Sequence, residues 1–199
     1  MARTRASDFE EKQHSILASA AAVFAEQGME KASMSQIASH SHVSKALLYH
    51  YYPSKDALIF AIIRTHLEDL DAAIAAADDP ELAPQVRLRK LVGAVLENYR
   101  GADNEHKVQL NATTALSDEQ KAEILALERG IVRRFAVVLR MINPELDNRD
   151  RPLLTPVTMS LFGMMNWVYM WFRDGGRITR DDYADVATTL ILEGIKAVR

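Results

Sequence analysis

The apolar and polar positions of this chain never settle into the β-branched alternation of a strand, and no Asn-Gly hairpin turn occurs. Helix-start signals recur instead. Ser7 with Glu10, Ser33 with Gln36 and Ser117 with Gln120 fit the capping box, in which paired side chains satisfy the free N–H groups of a first turn. Thr179, with Ile178 before it and Tyr183 at the fourth helical position, fits a hydrophobic staple. These signals predict helices over about 8–28, 34–40, 44–51, 54–77, 84–101, 104–115, 118–142, 153–174 and 180–198. Gly28 suits the end of the first. Asp78-Asp79-Pro80, Asn143-Pro144 and Gly175-Gly176 break the pattern later. The expected fold is all-α, with about nine helices and no internal repeat.

Two segments depart from ordinary amphipathic helix. Leu153 to Phe172 is twenty mostly apolar residues, the length of a membrane span. Thr155, Pro156, Thr158, Ser160, Asn166 and four methionines interrupt it, so burial between a pocket and a subunit interface is expected, with no membrane partner. The second segment is SMSQIASHSHVSKALLYHYYPSKDAL at 33–58. Ser33 opens a two-turn helix with Ile37 and Ala38 inward, His40-Ser41-His42 makes a turn, and Ser44 caps another short helix that Pro53 stops. Ser54 then caps a long third helix, with Asp56 suiting its dipole. Two short helices on a tight turn, the second bounded at both ends, form the skeleton of a helix-turn-helix.

On a wheel of 100° per residue, turning Leu48 to the core leaves Tyr52, Tyr51 and Lys45 beside it and places Ala46 and His50 almost opposite. Leu47 and Tyr49 sit to either side of that outward face. A DNA duplex can use such a surface. Lys45 and Lys55 can neutralise phosphates, and the helix starts at Ser44 and Ser54 can receive phosphate oxygens. Tyr49 and His50 can reach backbone oxygens, while Ala46 and Leu47 can touch thymine methyls. The expected DNA-contacting set is completed by Ser33 and Ser35 on the preceding helix. The competing reading is an ordinary αα corner with partly packed tyrosines.

Charge adds little. The formal net charge is −3, and residues 1–56 carry six basic against six acidic groups, so any cations for a polyanion must be placed locally. The absence of cysteine removes disulfides, thiolate metal sites and cysteine nucleophiles. The charged opening MARTRASDFEEK lacks an apolar core, so no secretory signal and a cytoplasmic location are expected.

The run from Ile16 to Leu58 resembles the N-terminal domain of TetR-family transcriptional regulators. Its first helix matches in Ile16-Leu17, Ala20, Phe24 and Gly28; the helix-turn-helix matches in Ser35, Ile37-Ala38, Val43-Ser44-Lys45, Leu48-Tyr49, Tyr51-Tyr52-Pro53-Ser54-Lys55 and Leu58. Two positions depart from the family pattern. His42 stands where the turn usually has glycine, and Lys45-Ala46-Leu47 replaces the frequent Lys-Gly-Thr. A left-handed residue is tolerable for histidine, and the lost hydroxyl bears on operator sequence rather than on DNA binding.

Phe162 to Phe172, followed by Gly175-Gly176 and an acid-rich last helix, resembles the TetR branch that responds to CoA thioesters. The candidate effector pocket comprises Leu96, Tyr99, Met164, Trp167, Met170 and Trp171, with Asn166 as polar anchor. Arg87, Arg89, Lys90, Arg133 and Arg134 are candidates for a CoA phosphate. The antiparallel helices at 153–174 and 180–198 suit a four-helix homodimer interface, drawing on Met165, Phe172, Val186, Thr189, Leu190 and Glu193.

Enzyme readings find little support. Tyr51-x-x-x-Lys55 has short-chain dehydrogenase spacing but is interrupted by Pro53, and no G-x-G-x-x-G accompanies it. His40-x-His42 lacks a third metal ligand, and no serine sits in G-x-S-x-G. The expected organisation is a DNA-binding domain at 1–53, a connecting helix and linker at 54–83, and an effector-binding and dimerisation domain at 84–199. The expected function is a one-component repressor, without cofactor, that binds palindromic operator DNA as a dimer. A small-molecule effector, an acyl- or aryl-CoA by resemblance, would release it by tilting the helix from Ser54 through contacts near 96–110. The alternatives are a ligand-dependent activator of the same fold and a helical interaction protein without DNA binding.

Overall fold

Gly28 ends the first helix by taking a φ of +85°, a conformation that costs glycine nothing, while its N–H closes the last turn on the Phe24 carbonyl at 3.0 Å. The computed structural model describes residues 2–112 and 116–197, with side chains from Glu11 onward. Helix α1 spans Ala2–Gln27, beginning before Ser7; the side chains of the Ser7–Glu10 box lie outside the described residues. There follow α2 (Met34–His40), α3 (Lys45–Tyr51), α4 (Lys55–Ala77), α5 (Pro84–Asn98), α6 (Asp103–Asn111) and α7 (Asp118–Ile142). A short 3-10 turn at Pro144–Asp147 precedes α8 (Leu154–Asn166), the single turn α9 (Val168–Trp171) and α10 (Arg180–Ala197). Among the described residues there is no strand, as expected for an all-α chain.

Several expected boundaries differ: α1 starts at Ala2 rather than near 8, and α5 ends at Asn98 rather than near 101. The helix predicted at 104–115 ends at Asn111, and its positions 113–115 lie outside the described residues. The helix predicted at 153–174 is broken at Trp167, and Phe172 is already extended. One turn before the break, the Met164 carbonyl accepts a hydrogen bond from the Tyr183 hydroxyl at 3.2 Å. A side chain entering the backbone ladder is a recognised cause of such interruptions. Tyr183 is thereby committed to Met164 and, at 5.0 Å between ring centroids, to Trp171, while Ile178 of the expected staple stays exposed. Among the described residues no helix is long and apolar enough to cross a membrane.

The chain forms two compact units, and they are not consecutive in sequence. One comprises residues 1–67 and 101–125, the other 68–100 and 126–199. The three consecutive segments expected from sequence therefore do not coincide with the packing, because α6 folds back onto α1. In the first unit α1 buries Ile16, Ala20, Val23 and Phe24, and packs on α2, which packs on α3. In the second, α5 packs on α8 and α10, and α8 on α10. Its interior holds Leu91, Val92, Leu96, Leu161, Met165 and Ile191, with Phe135 and Phe162 edge-to-face at 5.0 Å.

His66 on α4 and His106 on α6 are both buried in the first unit, their ring centroids 5.9 Å apart. Burial, reinforced by the neighbouring imidazole, lowers His66 to about 4. Above pH 6.5 the folded and unfolded chains both hold it neutral. Below that, the unfolded chain takes up a proton that the folded one refuses, so stability falls as pH drops from about 6.5 towards 4. Urea unfolding at pH 5 is expected to show about 2 kcal/mol less stability from this group than at pH 7. His66→Leu should flatten that difference; an equally steep pH dependence in the variant would locate its origin elsewhere.

Candidate nucleic-acid interface

Three serines set the geometry of the helix-turn-helix. The Ser33 side chain accepts from the Gln36 N–H at 3.3 Å, while Gln36 Oε1 accepts from the Ser33 N–H at 2.9 Å, completing the predicted capping box. Ser44 Oγ accepts from the Leu47 N–H at 3.1 Å, and Ser54 Oγ from the Ala57 N–H at 3.0 Å. Between α2 and α3, His42 takes a φ of +53°, the left-handed conformation that the family's usual glycine at this position implied. Ser41, buried beside it, donates its N–H to the Ile37 carbonyl at 2.9 Å. The turn is thus held from both sides.

On α3 Leu48 is fully buried (0% exposed) and Tyr52 follows it inward. Lys45, Ala46, Leu47, Tyr49 and His50 are exposed, as are Ser33, Ser35 and Ser44. The Lys45 ammonium stands 5.9 Å from the centre of the Tyr49 ring, within reach of a weak cation–π attraction. This pairing holds a cation and a phenol together on one short, stiff surface. Lys55 is placed differently: it is half-buried, and its Nζ donates to the carbonyls of Glu30 at 3.1 Å and Ala32 at 3.4 Å.

The second unit divides the expected effector residues. Leu96 and Tyr99 are buried at the end of α5, and the Tyr99 hydroxyl donates to Asn166 Oδ1 at 2.9 Å. Burial, with the Glu128 charge adding to it, pushes the Tyr99 phenol upward and keeps it a donor. Met164 is half-buried nearby in sequence. Trp167, Met170 and Trp171 are instead surface residues, the first 59% exposed. Met159 on α8 and Val186 and Leu190 on α10 are likewise exposed apolar side chains. Thr189 and Glu193 of the expected dimer set share that exposure; Met165 is buried in the unit's own core and Phe172 is half-buried. Of the five cations considered for a phosphate, Arg87 is bound to Asp78, Arg89 to Asp181 and Asp185, and Arg134 to Asp71. Lys90 and Arg133 are exposed.

Comparison with known proteins bears on both units. Residues 16–62 match the family of bacterial regulatory proteins named for tetR, and residues 81–195 match the tetracyclin repressor-like C-terminal domain. The chain belongs to the TetR family.

A TetR-family transcriptional regulator from Bordetella parapertussis has a similar structure, with 30% identity, a TM-score of 0.83 and coverage of 94% of this chain and 97% of that one. AibR, solved with isovaleryl coenzyme A and operator DNA, shares 27% identity at a TM-score of 0.76, over 90% of this chain and 97% of its own. The transcriptional repressor KstR2 of Rhodococcus jostii is 26% identical over 195 residues, covering 90% of this chain and 89% of the repressor. Like them, this TetR-family protein is a DNA-binding regulator.

One side chain that sequence reasoning passed over organises the second unit. Arg180, buried at the first position of α10, pairs with Asp174 through Nε at 2.9 Å and Nη2 at 2.8 Å. Its Nη1 donates to the Leu96 carbonyl at 3.0 Å. Phe172 lies under the guanidinium at 5.1 Å. Leu96 lies in the last turn of α5, where carbonyls lack helical partners, so Arg180 completes that helix from 84 residues away. No local pattern announces such a contact.

Proposed function

We propose that this TetR-family regulator is a homodimeric repressor that reads palindromic DNA with α3 and is released by a small acyl- or aryl-CoA. The observation carrying the DNA reading is the split of α3, with Leu48 wholly buried while Lys45, Ala46, Leu47, Tyr49 and His50 face solvent. Ser33, Ser35 and Ser44 line the approach and supply phosphate contacts. The exposed apolar surface of α8 and α10 supports the dimer, since soluble monomers rarely leave such patches open. The repressor sense draws on the likeness to KstR2, and the CoA class on the likeness to AibR. Leu96, Tyr99, Asn166 and Met164 are assigned to the effector, a reading supported by the Tyr99–Asn166 hydrogen bond. The protein acts in the cytoplasm by binding, and no reaction is assigned to it.

Release requires an effector that binds the DNA-free form more tightly than the bound form. In this proposal the coupling runs along α4, a single helix from Lys55 to Ala77.

Titrating a duplex from the protein's own upstream region at two salt concentrations tests the reading. Affinity is expected to fall steeply as salt rises, through release of counterions. Lys45→Ala should flatten that slope by about one per subunit. Tyr49→Phe should weaken binding roughly fivefold, about 1 kcal/mol for one hydrogen bond. Absence of any duplex binding by the wild-type protein would overturn the reading.

A further inference from the structure

Lys55 stands at the first position of α4, yet its ammonium is directed back across 25 and 23 residues to the carbonyls of Glu30 and Ala32. Those carbonyls belong to the turn between Gly28, which ends α1, and Ser33, which caps α2. The Ala32 N–H is already committed to the Gly28 carbonyl at 3.1 Å, so the turn is closed on itself and presents its oxygens to α4. A charged donor makes stronger hydrogen bonds to carbonyl oxygen than a neutral one. Lys55 is half-buried, whereas Lys45 is exposed on α3.

We infer that Lys55 is a positioning residue and not a phosphate contact: it ties the start of α4 to the turn that leads into α2. The inference rests on the DNA-binding reading above for its purpose, and on the two hydrogen bonds alone for its geometry. The tie gives the start of α4 a direct polar link to that turn. With it, the turn before Ser33 follows the first residue of α4, and Ser33 and Ser35 move with it.

The full-length protein carrying Lys55→Met, Lys55→Arg or Lys45→Ala separates a tie from a phosphate contact. Two readouts are needed: amide hydrogen exchange of the free protein, and the salt dependence of binding to a mixed-sequence duplex. A tie predicts that Lys55→Met speeds exchange at residues 29–36 about tenfold, by freeing the turn to open locally. Lys55→Arg, which keeps charge and donors, should restore protection. The salt slope of Lys55→Met should equal that of the wild type although its affinity is lower, while Lys45→Ala loses about one unit of slope per subunit. A slope reduced in Lys55→Met as in Lys45→Ala, or unchanged exchange at residues 29–36, would overturn the inference. Should the wild-type protein fail to bind any duplex, the DNA reading falls, and the exchange measurement still decides whether Lys55 holds the turn.

Discussion

Leu190→Glu is expected to convert the protein to monomers and to weaken duplex binding by roughly 100-fold or more. Leu190 is 59% exposed on α10, one of several exposed apolar side chains on α8 and α10 with Val186 and Met159. In a two-fold interface each residue meets the same patch on its partner, so one substitution introduces two carboxylates. Each would have to give up water without a compensating cation, and an unpaired buried charge costs several kcal/mol. A monomer keeps its reading head but loses the second, tethered binding event. Light scattering reports the mass, and circular dichroism confirms that the helices persist. Met141→Glu is the control: Met141 is 51% exposed but lies on α7, outside the proposed interface, and its replacement should leave the mass unchanged. A Leu190→Glu protein that remains dimeric would move the interface away from α10.

Arg180→Met should cost about 3 kcal/mol of stability and lower the melting temperature by roughly 6–12 °C. Three losses contribute. The Leu96 carbonyl is left unsatisfied inside the protein, worth about 1–3 kcal/mol on its own. The doubly bonded pair with Asp174 disappears, and so does the cation above Phe172. Asp174 is 44% exposed, so its carboxylate recovers water, which keeps the total at the low end for a broken buried pair. Urea unfolding at pH 7 measures the change. Asp174→Asn should cost less than Arg180→Met, because the Leu96 bond survives. If Arg180→Met unfolds at the wild-type urea midpoint, packing rather than polar anchoring holds the end of α5.

The DNA-reading half was legible because its instructions are local. Ser33 with Gln36, Ser44 three residues before Leu47, and Pro53 after Tyr52 each act within one turn, and the structure places α2 and α3 within a residue of the expected bounds. His42 was readable through the family resemblance, since the family usually has glycine at that position of the turn, and it does take a positive φ. What escaped the sequence lies in contacts between distant positions. The break at Trp167 depends on Tyr183 reaching the Met164 carbonyl, and the return of α6 to α1 depends on packing that periodicity does not encode. Tyr99 and Asn166 were both singled out from sequence, but only the fold joins them across 67 residues. Trp167, Met170 and Trp171 look like pocket residues when read as a stripe of large side chains. All three are exposed in the structure.

The closing turn of α5 serves as a common mooring. Tyr99 holds the end of α8 through Asn166, and the Leu96 carbonyl holds the beginning of α10 through Arg180. On the proposed function, a change in either mooring would alter the response to an effector and leave the DNA-facing side chains of α3 unaltered. Under that proposal, sensitivity and address would be written on separate stretches of chain, free to drift apart.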